Sequence, residues 1–209
     1  MTQRDTIQTT ARRGRPLAVE PTQLATVALG LFERRGFDAV TMKQIADAAG
    51  VSQRTLFRLF PTKADLVWEG LHEIREVIAV QAEALRGAAL SPAELLHAIA
   101  EPYLMQMGDP AVERLYRRRL RLIGDVPALL NHPALREIEA VFASLFAPQT
   151  AHPSLVARSV VAIGIAALCW WAEQNTGITA LEALRVAFRG VAPPVSRRTR
   201  AVSRRARGK

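Results

Sequence analysis

Between Thr41 and Asp65 the chain reads TMKQIADAAGVSQRTLFRLFPTKAD, two helical segments too short to stand alone, joined through a glycine. Thr41 and Gln44 form the sequence pattern of a capping box, and Ile45, Ala46 and Ala49 supply an inward face. Gly50 accepts the positive φ that ends a helix cheaply, Val51 fills the corner, and Ser52 is placed to cap a helix starting at Gln53. On that second helix Leu56, Leu59 and Phe60 fall at i, i+3 and i+4 and turn inward. Gln53, Arg54, Thr55 and Arg58 are left outward near its N-terminal end. Arg and Gln are the side chains that pair bidentately with guanine and adenine in the major groove. Pro61 closes the unit, with Lys63 just beyond. On spacing alone, the alternative is an ordinary helical corner with solvated polar groups.

The same residues, preceded by Leu31-Phe32 and Gly36-Phe37, resemble the DNA-binding domain of the tetracycline-repressor (TetR) family. Thr41, Ile45, Ala46, Ala49, Gly50, Val51, Ser52, Thr55, Leu56, Phe57, Phe60, Pro61 and Lys63 carry the likeness, which runs from about Leu24 to Leu66. It implies Thr41 and Lys63 on phosphates, Gln53 and Arg54 toward bases, and Thr55, Phe57 and Arg58 on either, with Ser52 in the same surface. The family often has tyrosine where Phe57 stands; a phenyl ring can touch a thymine methyl but has no hydroxyl for a phosphate.

The formal net charge of +9 is carried by the ends. Arg197, Arg198, Arg200, Arg204, Arg205, Arg207 and Lys209 account for seven positive charges, and the leader through Val19 adds three more, so the residues between stand near −1. Both ends are poor in large apolar residues and read as disordered when alone. In the leader, Arg12-Arg13-Gly14-Arg15-Pro16 resembles the core of an AT-hook, with Arg13 and Arg15 suited to a narrow minor groove; the alternative is a solvated leader that aids solubility. A flexible, unread tail is the expectation for the C-terminal end.

Cys169 is the only cysteine and sits in an apolar run, which predicts a reduced, buried thiol. The first residues lack the apolar segment of a signal peptide, and Ser159 to Ala172 offers only 14 uncharged residues against the ~18 to 20 that span a bilayer. Together these predict a cytoplasmic protein without membrane association.

Helix start and stop signals recur along the whole chain and strand alternation is almost absent, predicting an all-α fold of about nine helices. The expected organisation is a basic leader at 1–19, a three-helix DNA-binding domain at 20–66, a helical ligand-binding and dimerisation domain at 67–190, and a basic tail at 191–209. The first helix opens at Pro21 and buries Leu24, Val27, Ala28, Leu31 and Phe32. A fourth is expected to run unbroken from Thr62 to Leu85, passing through Gly70 as the lever between domains. Ser91 and Asp109 start the next two, and Pro102 is expected to kink the first of them. Around one apolar face, Arg114, Arg117, Arg118, Arg119 and Arg121 are expected to be a solvated surface; a second reading gives them an anionic ligand or acids on a neighbouring helix.

Ser154 to Asn175 is apolar around nearly its whole circumference, and Thr179 to Glu182 launches a last helix. These two helices are expected to pair with their copies in a homodimer through Val161, Ile165, Leu168, Trp171, Leu184 and Phe188, the alternative being internal core. The resemblance implies dimerisation of this kind.

His72, His97, His132 and His152 lie far apart, and neither a phosphate-binding glycine loop nor a nucleophile elbow is present. No metal, cofactor or catalytic residue is therefore expected, and the chain reads as no enzyme. The function expected is a ligand-responsive transcriptional regulator of double-stranded DNA, a repressor on a pseudo-palindromic operator, released by a small apolar or amphipathic effector. Leu96, Ile99, Tyr103, Met107, Tyr116, Arg119, Leu120 and Phe142 are the expected pocket, with plain core as the alternative. The stretch Arg117 to Leu130, with Leu66-Val67-Trp68, resembles an actinobacterial-type subgroup that includes mycofactocin-associated regulators. That likeness implies a long apolar or acyl-thioester ligand, with an arginine on its phosphates. A rival reading is a helical ligand-binding or scaffold protein without operator-specific binding.

Overall fold

A computed structural model describes residues 20–88, 90–105, 109–175 and 177–191. Among them are ten α-helices: α1 Pro21–Arg35, α2 Met42–Ala49, α3 Gln53–Leu59, α4 Lys63–Val67, α5 Leu71–Ala84, α6 Pro92–Met105, α7 Pro110–Asp125, α8 Pro133–Phe146, α9 Pro153–Glu173 and α10 Ala180–Val191, with a 3-10 turn at Pro127–Asn131 before α8.

The head is built by α1 to α4. Leu24, Ala28 and Phe32 of α1 are buried together with Ile45, Ala46, Leu56, Phe60 and Leu66. Thr41 accepts from the Gln44 N–H and the Gln44 side chain accepts from the Thr41 N–H, so two of the four orphan donors of α2 are satisfied. Gly50 ends α2 in the left-handed region (φ 67°), its N–H returning to the Ala46 and Asp47 carbonyls, and this turn sets α3 across α2. Thr62 and Asp65 form a second reciprocal cap at α4.

The expected single helix from Thr62 to Leu85 is two. α4 stops at Val67, and Gly70 adopts φ 85°, a left-handed conformation that no helix propagates through, before α5 starts at Leu71. Tertiary bonds hold the break open: the Trp68 indole N–H donates to the Leu129 carbonyl (3.0 Å), and Arg119 grips Glu69.

In the second body α9 is central, packed against α7, α8 and α10, while α5 lies on α6 and α8 and α6 meets α10. At Gly164 a Cβ would stand 3.5 Å from a Leu96 methyl and 3.8 Å from one of Leu184, ordinary van der Waals contact, so α6 and α10 pack closely on α9 there without requiring glycine. α6 continues through Pro102 to Met105. By length and hydropathy α9 could cross a membrane, but Ala157, Val160, Trp171 and Ala172 are buried against its neighbours, the packing of a core helix.

The same packing corrects the expected dimer residues. Val161, Trp171, Leu184 and Phe188 are buried within the single chain, and Val161, Ile165, Leu168 and Leu184 line an internal cavity. α7, α8 and α10 cover that side of α9, though Val161 and Ile165 also border a surface groove with Ala162, Ala166 and Trp170. The outward side of α9 carries Leu155, Ser159, Ala162, Ala166 and Trp170 instead.

Candidate nucleic-acid interface and effector cavity

Leu56 is fully buried and Phe60 nearly so, which anchors α3 on the head and leaves Gln53, Arg54, Phe57 and Arg58 exposed. Among the described residues Gln53, Arg54 and Arg58 have neither a hydrogen-bond nor an ion-pair partner, so their amide and guanidinium groups remain open to base edges and phosphates. Phe57 is 47% exposed, an aromatic face with no internal partner ring. Ser52 caps α3 by accepting from the Thr55 N–H (3.1 Å), and the two hydroxyls bond one another at 2.9 Å. Thr41 is likewise occupied as a cap, though it stays on the exposed side of α2. Arg13 and Arg15 lie outside the described residues.

Lys63, expected on a phosphate, is engaged within the head. Its ammonium donates to the Phe37 carbonyl (2.7 Å) and more weakly to that of Asp38, and sits 4.6 Å from the centre of the Phe37 ring. Because the carbonyls after α1 point into the gap beside α4, the lysine ties that loop down instead of reaching outward.

Behind the head, at the α4–α5 break, lies a cavity of about 170 Å³. Leu96, Ile99, Tyr103, Tyr116, Arg119, Leu120 and Phe142, all expected from the sequence, border it. Met107 lies outside the described residues. The walls are almost wholly apolar; Tyr103 donates to the Tyr116 hydroxyl, and burial, followed by the Tyr116 contact, pushes the Tyr103 phenol upward. Arg119 is the one buried charged residue among those described. It makes a 2.6 Å ion pair with Glu69 and a 2.8 Å bond to the Glu69 carbonyl, while its Nε is buried without a partner.

The family model for bacterial regulatory proteins of the tetR family matches residues 24–69, the head just described. Over 201 residues the chain is 27% identical to the putative mycofactocin biosynthesis transcriptional regulator MftR of Mycobacterium tuberculosis, covering 85% of this chain and 92% of that protein. It is 28% identical over 190 residues to the HTH-type transcriptional regulator TcmR of Streptomyces glaucescens, covering 84% and 82%. The fold matches Thermus thermophilus FadR, a TetR-family transcriptional repressor solved with lauroyl-CoA, with a TM-score of 0.51 and 19% identity, over 81% of this chain and 92% of that one. The head is a DNA-binding domain of the TetR family of bacterial regulatory proteins, and the relatives that match most of the chain are transcriptional regulators.

The arginines of α7 divide between the two sequence readings: Arg118 and Arg119 meet acids of other segments, while Arg114 stays solvated. Arg118 forms two bonds, 2.7 and 2.6 Å, to Glu33 of α1, and Arg119 pairs with Glu69. Arg117 and Arg121 bond carbonyls at the C-terminal end of α9, Arg117 also stacking 3.8 Å from the Trp171 ring centre. Cations suit that end of a helix dipole. Arg114 alone of the five is exposed and unpartnered among the described residues. At the junction of the TetR-family head with the second body, His132 bonds Asp65 at 3.0 Å, and Thr22 of α1 donates to Glu69 at 2.9 Å. Sequence reasoning missed these partners, since Glu33 and Glu69 show nothing local that distinguishes them from other acids and Asp65 reads locally only as the capping partner of Thr62. Cys169 is buried as expected, its thiol pushed up to about 11 by burial, then by Glu173 and Asp125.

Proposed function

We propose that this TetR-family regulator is a cytoplasmic homodimeric repressor of a pseudo-palindromic operator, released by a small apolar or amphipathic effector held in the cavity at the α4–α5 break. The observation that carries the DNA reading is α3, with buried Leu56 beneath and unpartnered Gln53, Arg54 and Arg58 above. Two such helices in a dimer reach half-sites about 34–36 Å apart. On this reading the head is 20–66 and the effector and dimerisation domain 67–190, with the Glu69-Gly70 joint just past the boundary. An effector that prefers a different head separation lowers operator affinity by its differential binding to the two arrangements. The apolar cavity, and a fold relative solved with lauroyl-CoA, support an effector with a long apolar part.

The dimer surface is assigned to the outward stripe of α9, Leu155, Ala162, Ala166 and Trp170; Val186 is an exposed apolar residue of α10. Leu155, Trp170 and Val186 are 65%, 47% and 59% exposed, more apolar surface than a neutral helix pair leaves in water.

The test is selection of bound fragments from random DNA, repeated with Arg54→Ala. The wild-type protein should recover a two-fold symmetric motif, and the variant should bind it more weakly by about 1–3 kcal/mol with relaxed choice at one position per half-site. Recovery of the same motif at the same affinity by the variant sinks the assignment of Arg54.

A further inference from the structure

We infer that the cavity selects amphiphiles with a single carboxylate head, which Arg119 takes in exchange for Glu69; this rests on the cavity being the effector site. Its lining offers few polar groups: Trp68, Glu69, Tyr103, Tyr116 and Arg119. The Trp68 indole is committed to the Leu129 carbonyl. The two tyrosines use one of their two O–H protons on each other, which leaves a second proton for an acceptor. Arg119 and Glu69 border the same cavity as Tyr103. The ligand's polar end therefore meets a tyrosine hydroxyl and the Arg119 guanidinium at the cavity wall, whose Nε–H is buried without a partner.

A buried guanidinium must keep a counter-charge, so Glu69 can leave it only when another anion arrives. A neutral ligand can accept from a tyrosine hydroxyl but leaves the ion pair standing. A carboxylate can engage the guanidinium fork in the planar geometry that Glu69 does not complete, and so compete for the same charge. Glu69 has somewhere to go, because it borders the inner cavity on one side and, with Gly70 and His132, the cleft between head and body on the other. Its carboxylate already accepts from Thr22 of α1.

Arg119 holds Glu69 by both side chain and backbone carbonyl, immediately before the left-handed Gly70 that joins α4 to α5. Exchange of the anion therefore loosens the joint between the DNA-binding head and the second body. Carboxylates should act as inducers, while neutral molecules of the same length bind without inducing.

The test uses the full chain, fatty carboxylates from hexanoate to palmitate, and the alcohols of equal length, each below its micelle concentration. Calorimetry reads binding, and anisotropy of a labelled DNA from the selection reads release. At the best chain length the carboxylate should bind at least about tenfold tighter than the alcohol, and it alone should release DNA. The double variant Glu69→Gln/Arg119→Gln leaves no buried charge unpaired; it should lose the carboxylate advantage, binding acid and alcohol of equal length alike. Equal binding of acid and alcohol by the wild type, retention of the advantage by the double variant, or no carboxylate binding at any length overturns the inference. Selected DNA bound with no carboxylate taken up leaves the regulator reading standing while this one falls. Carboxylate binding without any DNA binding has the opposite meaning.

Discussion

Lys63 illustrates how a residue in the right place can have a different task. Position alone assigns it to a phosphate, but an ammonium beside two carbonyls and a ring face forms short charge-assisted bonds within the head. Lys63→Ala should therefore lower the urea midpoint of unfolding, by about 1–2 kcal/mol in stability, with little change in the salt slope of DNA binding. An unchanged midpoint with a flatter slope would return Lys63 to the phosphate backbone. Gln53, Arg54 and Arg58 differ because nothing in the described residues competes for them. Their exposure was legible from the i, i+3, i+4 spacing of Leu56, Leu59 and Phe60, since three buried positions on so short a helix fix which side is left. Ser52 and Thr55 sat in the same motif, yet their hydroxyls are engaged with each other, a local competition that spacing does not reveal.

Among the elements, α4 is too short to persist by itself and is held by its cap and by contacts with the second body. Asp65 does both jobs, accepting from Thr62 and from His132. Burial works to raise its pKa, but the Thr62 and His132 hydrogen bonds outweigh it, and the carboxyl sits below its ordinary value of 3.8. A carboxylate with a depressed folded pKa stabilises the fold above its unfolded value, and the contribution drains away as pH falls through the folded one. Asp65→Asn should thus cost about 1 kcal/mol near pH 7, with the gap from wild type closing as urea unfolding is repeated toward pH 2. A gap that stays constant with pH would show that the charge of Asp65 is not what matters. The capping pairs at Thr41, Thr62 and Ser91 were legible because each lies within four residues of sequence. Gly70 was legible only as a tolerated helix glycine; the left-handed turn there follows from Trp68 and Glu69 being drawn to Leu129 and Arg119, more than 45 residues away.

For the whole molecule the decisive question is which side of α9 faces a partner. An all-round apolar helix signals burial without direction, so the sequence supports several choices of interface residues. With α7, α8 and α10 covering one side, the stripe through Ala162 and Ala166 remains, small residues that let a second helix approach between Leu155 and Trp170. Ala166→Arg should leave the helical signal and thermal midpoint nearly unchanged, while shifting the chain to a monomer in sedimentation and weakening operator binding. A variant that still sediments as a dimer removes this face from consideration.

Periodicity, caps and turn glycines were enough to determine that the chain is all-helical, where most helices begin, and which end of α3 stands outward, because those properties are set by interactions within a few residues. The tertiary structure alone decided where α4 breaks, which acids the α7 arginines meet, and which side of α9 is left uncovered. Each of these depends on contacts between segments far apart in the chain, whose energies exceed the local preferences of the residues involved.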